Sequence, residues 1–161
     1  MKTVAIIVGA GSGSRMKMEK NKVLLNLNGE TIIERSVNEY LHNSNVDEIV
    51  VVCKENELSD FQSILNDEKI TFALGGKTRQ DSVFNAVQTI DYCDYLMIHD
   101  GARPLVTQKV INDTFECAKK TKAAATGVFV KDTIKVVDSK NKIISTPNRK
   151  TLVSIQTPQI F

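Results

Sequence analysis

Two hydrophobic patterns alternate along the chain. Short runs of β-branched residues predict buried strands at Thr3–Val8, Asp47–Cys53, Ile70–Leu74, Tyr95–His99 and Ala123–Val130. Between them, apolar positions recur every three or four residues and predict helices at Thr31–His42, Glu55–Leu65, Arg79–Ile90 and Thr107–Thr121. In the first helix Ile32, Ile33, Val37, Tyr40 and Leu41 fall on one face, and Thr31 with Glu34 three residues on reads as a capping box. After residue 130 the rhythm changes. Thr133–Val137 and Lys142–Ser145, joined by a polar turn at Asp138–Asn141, predict an antiparallel ribbon.

Repeated β-α units with buried strands predict an α/β fold, a three-layer, Rossmann-like open and mostly parallel sheet with helices on both faces. Residues 131–150 are expected to project from it as a β-hairpin arm. The chain of 161 residues is the size of one domain and shows no repeat, low-complexity tract or linker. Val4 to Val8 is too short for the core of a secretory signal and runs into a glycine loop, so it reads as a first strand. No apolar run approaches the roughly 20 residues of a membrane helix. Cys53, Cys93 and Cys117 are odd in number and far apart, which excludes a disulfide scaffold. They are read as core residues of a protein kept in a reducing cytoplasm.

A net charge of +2 is too small to point to nucleic acid. Its distribution carries more. Residues 1–25 hold Lys2, Arg15, Lys17, Lys20 and Lys22 against Glu19 alone. Residues 131–150 hold Lys131, Lys135, Lys140, Lys142, Arg149 and Lys150 against Asp132 and Asp138. Charge alone fits either two solvated basic stretches or, if they meet in space, a site for a small polyanion.

Ligands of open parallel sheets bind beyond the carboxyl ends of the strands. Polar, glycine-bearing stretches follow three predicted strands: GAGSGSR from Gly9, GGKTRQDS from Gly75, and HDGARP from His99. All three are expected on one edge. The first loop offers unhindered backbone N–H groups suited to phosphate oxygens, or is a plain strand-to-helix turn. It departs from the dinucleotide fingerprint because Ser14 stands where the third glycine belongs, and Gly76-Lys77-Thr78 departs from a P-loop because Thr71 stands where its first glycine belongs. Asp81 and Ser82 fit a helix start as well as a ligand, and Asp100-Gly101 and Arg103-Pro104 fit a turn and helix entry as well as a site.

The first loop with Arg15-Met16, Lys22 and Leu24-Leu25 resembles the sugar-phosphate nucleotidylyltransferases. GGKTRQDSV (75–83), HDGARP (99–104), KDTIK (131–135), Asn148-Arg149 and Gln156-Thr157-Pro158-Gln159 narrow the resemblance to the 2-C-methyl-D-erythritol 4-phosphate cytidylyltransferase family. It runs the length of the chain in consistent order. It implies transfer of CMP from CTP, with Mg²⁺, to a sugar-alcohol phosphate in the non-mevalonate isoprenoid pathway, with release of pyrophosphate. By the same resemblance Arg15 and Lys22 stabilise the transition state. Ala10, Gly11, Gly13, Gly76, Ser82 and Gly101 hold CTP, and Asp100, Arg103, Thr133, Arg149 and Thr157 hold the sugar phosphate. Asp100 is also placed near the metal, through water if at all.

A homodimer swapping the arm is implied, with Arg149 serving the partner's site; neither nucleic acid nor a membrane is an expected partner. A ribitol-5-phosphate cytidylyltransferase and a non-catalytic nucleotide-binding module are the alternatives. The chain departs from the family at Gly9-Ala10, where two alanines are usual, and at Asn21-Lys22-Val23, where Pro-Lys-Gln is usual. Family members continue past the Gln-Thr-Pro-Gln motif, so a C-terminally truncated single domain over 1–161 is expected.

Overall fold

The computed structural model describes residues 1–11 and 21–161. β1 (Thr3–Val8) is followed by a small hairpin of β2 (Asn26–Leu27) and β3 (Glu30–Thr31), turned by Asn28 and Gly29 at positive φ. Then come α1 (Ile32–Leu41), β4 (Glu48–Cys53), α2 (Leu58–Ile64), β5 (Ile70–Leu74), α3 (Arg79–Val87), β6 (Tyr95–Asp100), α4 (Gln108–Thr121) and β7 (Ala124–Phe129). β8 (Val136–Val137) and β9 (Ile143–Ser145) form the ribbon, and β10 (Val153–Ile160) closes the chain.

The main sheet has the order β5-β4-β1-β6-β10-β7. β5, β4, β1 and β6 run parallel, and β10 enters antiparallel to both its neighbours. Alternate residues of the parallel strands point to opposite faces, and both faces are covered, which is why these strands read as unbroken apolar runs. Ala5 and Ile7 of β1, with Ile49 and Val51 of β4, share one core with Ile33, Val37 and Tyr40 of α1, Phe61 of α2, and Ile111 and Phe115 of α4. Val4, Ile6, Val50 and Val52 face a smaller core against Ala86 of α3. The expected three-layer α/β architecture is the observed one, and the ribbon lies exposed throughout. No helix of the described residues is long and apolar enough to cross a membrane.

β10 is the element that the hydrophobic pattern misses. Pro158 lacks a backbone N–H and argues against a central strand. Its place is resolved by an irregularity: β10 pairs regularly up to Ile155 and again from Gln159, so the proline falls in the interrupted stretch. The cysteines are only partly as expected. Cys53 is buried, but Cys93 is half-buried and Cys117 lies exposed on the outer side of α4.

His99 is fully buried on β6, its ring tilted against Tyr40 at 5.2 Å between centroids. Burial lowers its pKa to about 4, against the opposing pull of a hydrogen bond to the Arg103 carbonyl. The folded chain therefore holds this ring neutral, while the unfolded chain takes up a proton near pH 6.5. Between these values the unfolded state binds more protons, so stability falls as pH falls. The expected outcome is that the gap in unfolding free energy between wild type and His99→Phe narrows by roughly 2 kcal/mol from pH 7 to 4.5 in urea titrations. A gap independent of pH contradicts a neutral buried His99.

Candidate active site

The carboxyl ends of β1, β4, β5 and β6 enclose a cleft of about 570 Å³. The loops rising from them are tied strand to strand. Gly9 N–H donates to Val52 O at 2.8 Å, Gly75 N–H to Cys53 O at 2.9 Å, and Gly101 N–H to Val8 O at 3.0 Å. The ladder thus continues one residue past β1, β5 and β6 and sets these loop starts against their neighbouring strands. At Gly75 a Cβ would run into that of Ala10, so the first and middle loops meet only because residue 75 has no side chain. At Gly101 a Cβ would lie 2.5 Å from Ile33 Cδ1. That close approach lets the buried Ser36 hydroxyl of α1 donate to the Gly101 carbonyl at 2.8 Å.

Thr78 caps α3 in a reciprocal box with Asp81. The Ser82 hydroxyl, buried behind it, accepts from Gly76 N–H at 3.0 Å and donates to Thr78 O at 2.9 Å. Both the helix-start reading and a loop-shaping role are therefore realised, and the hydroxyl's one proton is already engaged.

Cations predominate among the charged groups of the cleft: Lys22, Lys54, Lys77 and Arg79 line it together with Glu55 and Asp100. Lys22 opens a short 3₁₀ turn, Lys22–Leu24, capped by Asn21. The Asn21 amide is buried and donates to Gly9 O at 2.8 Å and to Glu57 Oε2 at 2.8 Å. Glu57, itself buried, holds Lys54 Nζ at 3.2 Å on its other oxygen. Asn21 thus fastens the turn that carries Lys22 to the glycine loop by hydrogen bonds.

On the opposite wall Asp100 ends β6. Arg79 Nε donates to its Oδ1 at 3.0 Å and Arg103 Nε to its Oδ2 at 3.2 Å. Partial burial pushes the Asp100 pKa up, but the two guanidiniums outweigh it and the carboxyl titrates below its usual value. Each oxygen of Asp100 thus accepts from one arginine. No cluster of three or more His, Cys, Asp or Glu side chains fit for a metal occurs among the described residues.

A second cavity of about 360 Å³ lies beside the first, sharing Ala102 with it and lined by His99, Arg103, Gln156 and Thr157 among others. The fold thus gathers Ala10, Gly11, Lys22, Gly76, Ser82 and Asp100 around the first cavity, and Arg103 and Thr157 at the second. Gly101 is buried at the junction, where Ala102 lines both cavities in its place. Thr133 and Arg149 line neither. Both are exposed along the arm, and Arg149 Nη1 donates to Lys131 O at 2.9 Å. Gly13 and Arg15 lie outside the described residues. Sequence reasoning missed Arg79, Lys54 and Glu57. For Arg79 a signal existed, a cation three residues past the Gly75-Gly76 pair at the expected ligand edge. For Glu57 there was none, since its partner Asn21 is 36 residues away.

A profile of the family described as "IspD: 2-C-methyl-D-erythritol 4-phosphate cytidylyltransferase" matches residues 3–161. The chain is 44% identical over 161 residues to the protein of that name from Clostridioides difficile (strain 630), covering 97% of this chain and 68% of the relative. It is 43% identical to the Clostridium tetani (strain Massachusetts / E88) protein of the same name, covering 99% and 67%. Among solved structures, the 4-diphosphocytidyl-2C-methyl-D-erythritol synthase of Anaerococcus prevotii DSM 20548 superposes with a TM-score of 0.86 at 31% identity, over 99% of this chain and 69% of that one. The Francisella tularensis enzyme superposes at 0.81 and 31% identity, over 99% and 72%. With nearly its whole length matched, this chain belongs to the 2-C-methyl-D-erythritol 4-phosphate cytidylyltransferase family.

Proposed function

We propose that this chain transfers CMP from CTP to 2-C-methyl-D-erythritol 4-phosphate and releases pyrophosphate, an activity used in isoprenoid precursor synthesis. Membership in the family supports it, and the observation that carries it structurally is the paired cavities meeting at Ala102, two residues past Asp100. CTP occupies the larger cleft, its phosphates over the Gly9–Gly11 loop and its base at Gly76. The sugar phosphate occupies the smaller cavity beside Arg103 and Thr157. The relatives' common name favours the erythritol substrate over ribitol phosphate, and a cation-lined cleft favours an enzyme over a passive module.

The attacking group is a phosphate monoester with a second pKa of about 6, so it is mostly dianionic at pH 7 and needs no general base. The difficulty is holding two polyanions together while charge grows on the α-phosphoryl oxygens. Fixed cations and geometry meet that need. Lys22 supplies a compact charge fastened to the glycine loop, and Arg79 and Arg103 supply planar forks whose Nε atoms are anchored and whose terminal amino groups remain for phosphate. Arg15, by family resemblance, adds a further cation. Mg²⁺ would come with the nucleotide and would neutralise part of its phosphate charge.

The domain acts as one unit with residues 131–150 as its arm, and we assign the protein to the cytoplasm. The arm joins two copies. Val137, Ile143 and Ile144 on the ribbon are 45%, 58% and 66% exposed, an apolar surface suited to a second copy of the chain. Such a dimer carries Arg149 and Thr133, which line neither cavity here, to the partner's site.

The test of the activity is pyrophosphate release from CTP and 2-C-methyl-D-erythritol 4-phosphate with Mg²⁺. Wild type is expected to turn over, and Lys22→Ala to lose at least about 100-fold in kcat, roughly 2.7 kcal/mol of barrier, with an unchanged melting temperature. No release by wild type overturns the activity, and a Lys22→Ala loss under about threefold overturns the role of Lys22. For the dimer, sedimentation of Ile144→Asp is expected to give a monomer where wild type gives a dimer. A wild-type monomer refutes that assembly.

A further inference from the structure

The proton positions around Thr157 are fixed by its partners. The Thr157 hydroxyl oxygen lies 3.2 Å from Asp100 N and 3.0 Å from His99 Nδ1, and His99 Nε2 lies 3.2 Å from the Arg103 carbonyl. A carbonyl only accepts, so Nε2 carries the ring proton. The ring is buried and neutral, so Nδ1 carries none and accepts from Thr157. The Asp100 N–H can only donate, and it takes one lone pair of the hydroxyl. Thr157 therefore has no proton left to give and a single lone pair left to receive.

Both ends of this relay touch the proposed sugar-phosphate cavity, which His99, Arg103 and Thr157 line together. They also bracket Asp100. One end meets its backbone N–H, and the other meets the carbonyl of Arg103, whose own N–H closes a turn on Asp100 O at 2.9 Å. Resting on the reading of the activity given above, we propose that His99 is a positioning residue that makes the Thr157 hydroxyl a pure acceptor. Thr157 then receives a hydroxyl proton of the sugar alcohol and cannot donate to its phosphate. A dianionic phosphate has no proton to offer there, so the relay orients the substrate with its polyol at Thr157 and leaves the phosphate to the cations.

The experiment combines steady-state kinetics with nuclear magnetic resonance of the full chain. His99→Phe keeps a ring of similar shape and removes both hydrogen bonds; Thr157→Val removes the hydroxyl, and Thr157→Ser keeps it. Each of the first two is expected to raise KM for the sugar phosphate about tenfold while KM for CTP stays within twofold. The double variant is expected to be no more than about twofold worse than either single one, because both remove the same acceptor, and Thr157→Ser is expected to restore near-wild-type KM. Losses that multiply to about 100-fold, equal rises in both KM values, or a Ser variant as impaired as Val overturn the proposal.

The nitrogen chemical shifts of His99 at pH 7 supply an arm independent of turnover and of how well the variants fold. A proton on Nε2 alone is expected, and one on Nδ1 or on both nitrogens overturns the relay. If wild type makes no product while the Nε2 proton is found, the activity assignment fails and the relay geometry stands.

Discussion

One carboxylate at the end of the central strand β6 organises the site. Asp100 receives a guanidinium from α3 and another from its own turn, so two cations that would repel each other are held side by side. Both guanidiniums sit on a partly desolvated anchor, where a charge-assisted hydrogen bond is stronger than in open water. A lowered carboxyl pKa keeps the anchor ionised through the neutral range. The two cavities meet two residues further on, at Ala102, where a nucleotide and a second phosphate would have to be brought together.

The scaffold supplies what that arrangement needs. Parallel strands end together, and the loops after β1, β5 and β6 each begin with a glycine tied to its neighbouring strand. Main-chain N–H groups and cations from separate parts of the chain therefore share one edge. On the opposite wall a second anchored cation follows the same logic. The buried Glu57 carboxylate holds both Lys54 and the Asn21 amide, and Asn21 fixes the turn that carries Lys22. Each wall is a cation or pair of cations fixed by an acidic side chain behind it. Such prearranged charge stabilises a developing phosphoryl transition state without reorganising during the reaction.

Legibility in the sequence followed the range of the interactions. Val4–Val8 and Ile49–Val52 read as strands because burial on both faces leaves no polar alternation, and Thr31 with Glu34 read as a cap because the two are three residues apart. The glycine loops were placed on one edge because parallel topology forces it. What escaped were pairings across long stretches of chain. Arg79 meets Asp100 across 21 residues, Asn21 meets Glu57 across 36, and Thr157 meets Asp100 across 57. No local period encodes these. β10 escaped because Pro158 opposes strand formation locally, and only pairing on both sides, with an interruption at the proline, makes the strand.

The central claim is that the charge of Asp100 sets the site by holding Arg79 and Arg103. Asp100→Asn tests it most directly, since it keeps the size of the side chain while turning one acceptor into a donor that faces a guanidinium N–H. The account predicts that kcat for pyrophosphate release falls by at least about 100-fold, roughly 2.7 kcal/mol, with the melting temperature of the free protein little changed. A variant that turns over within about threefold of wild type contradicts it.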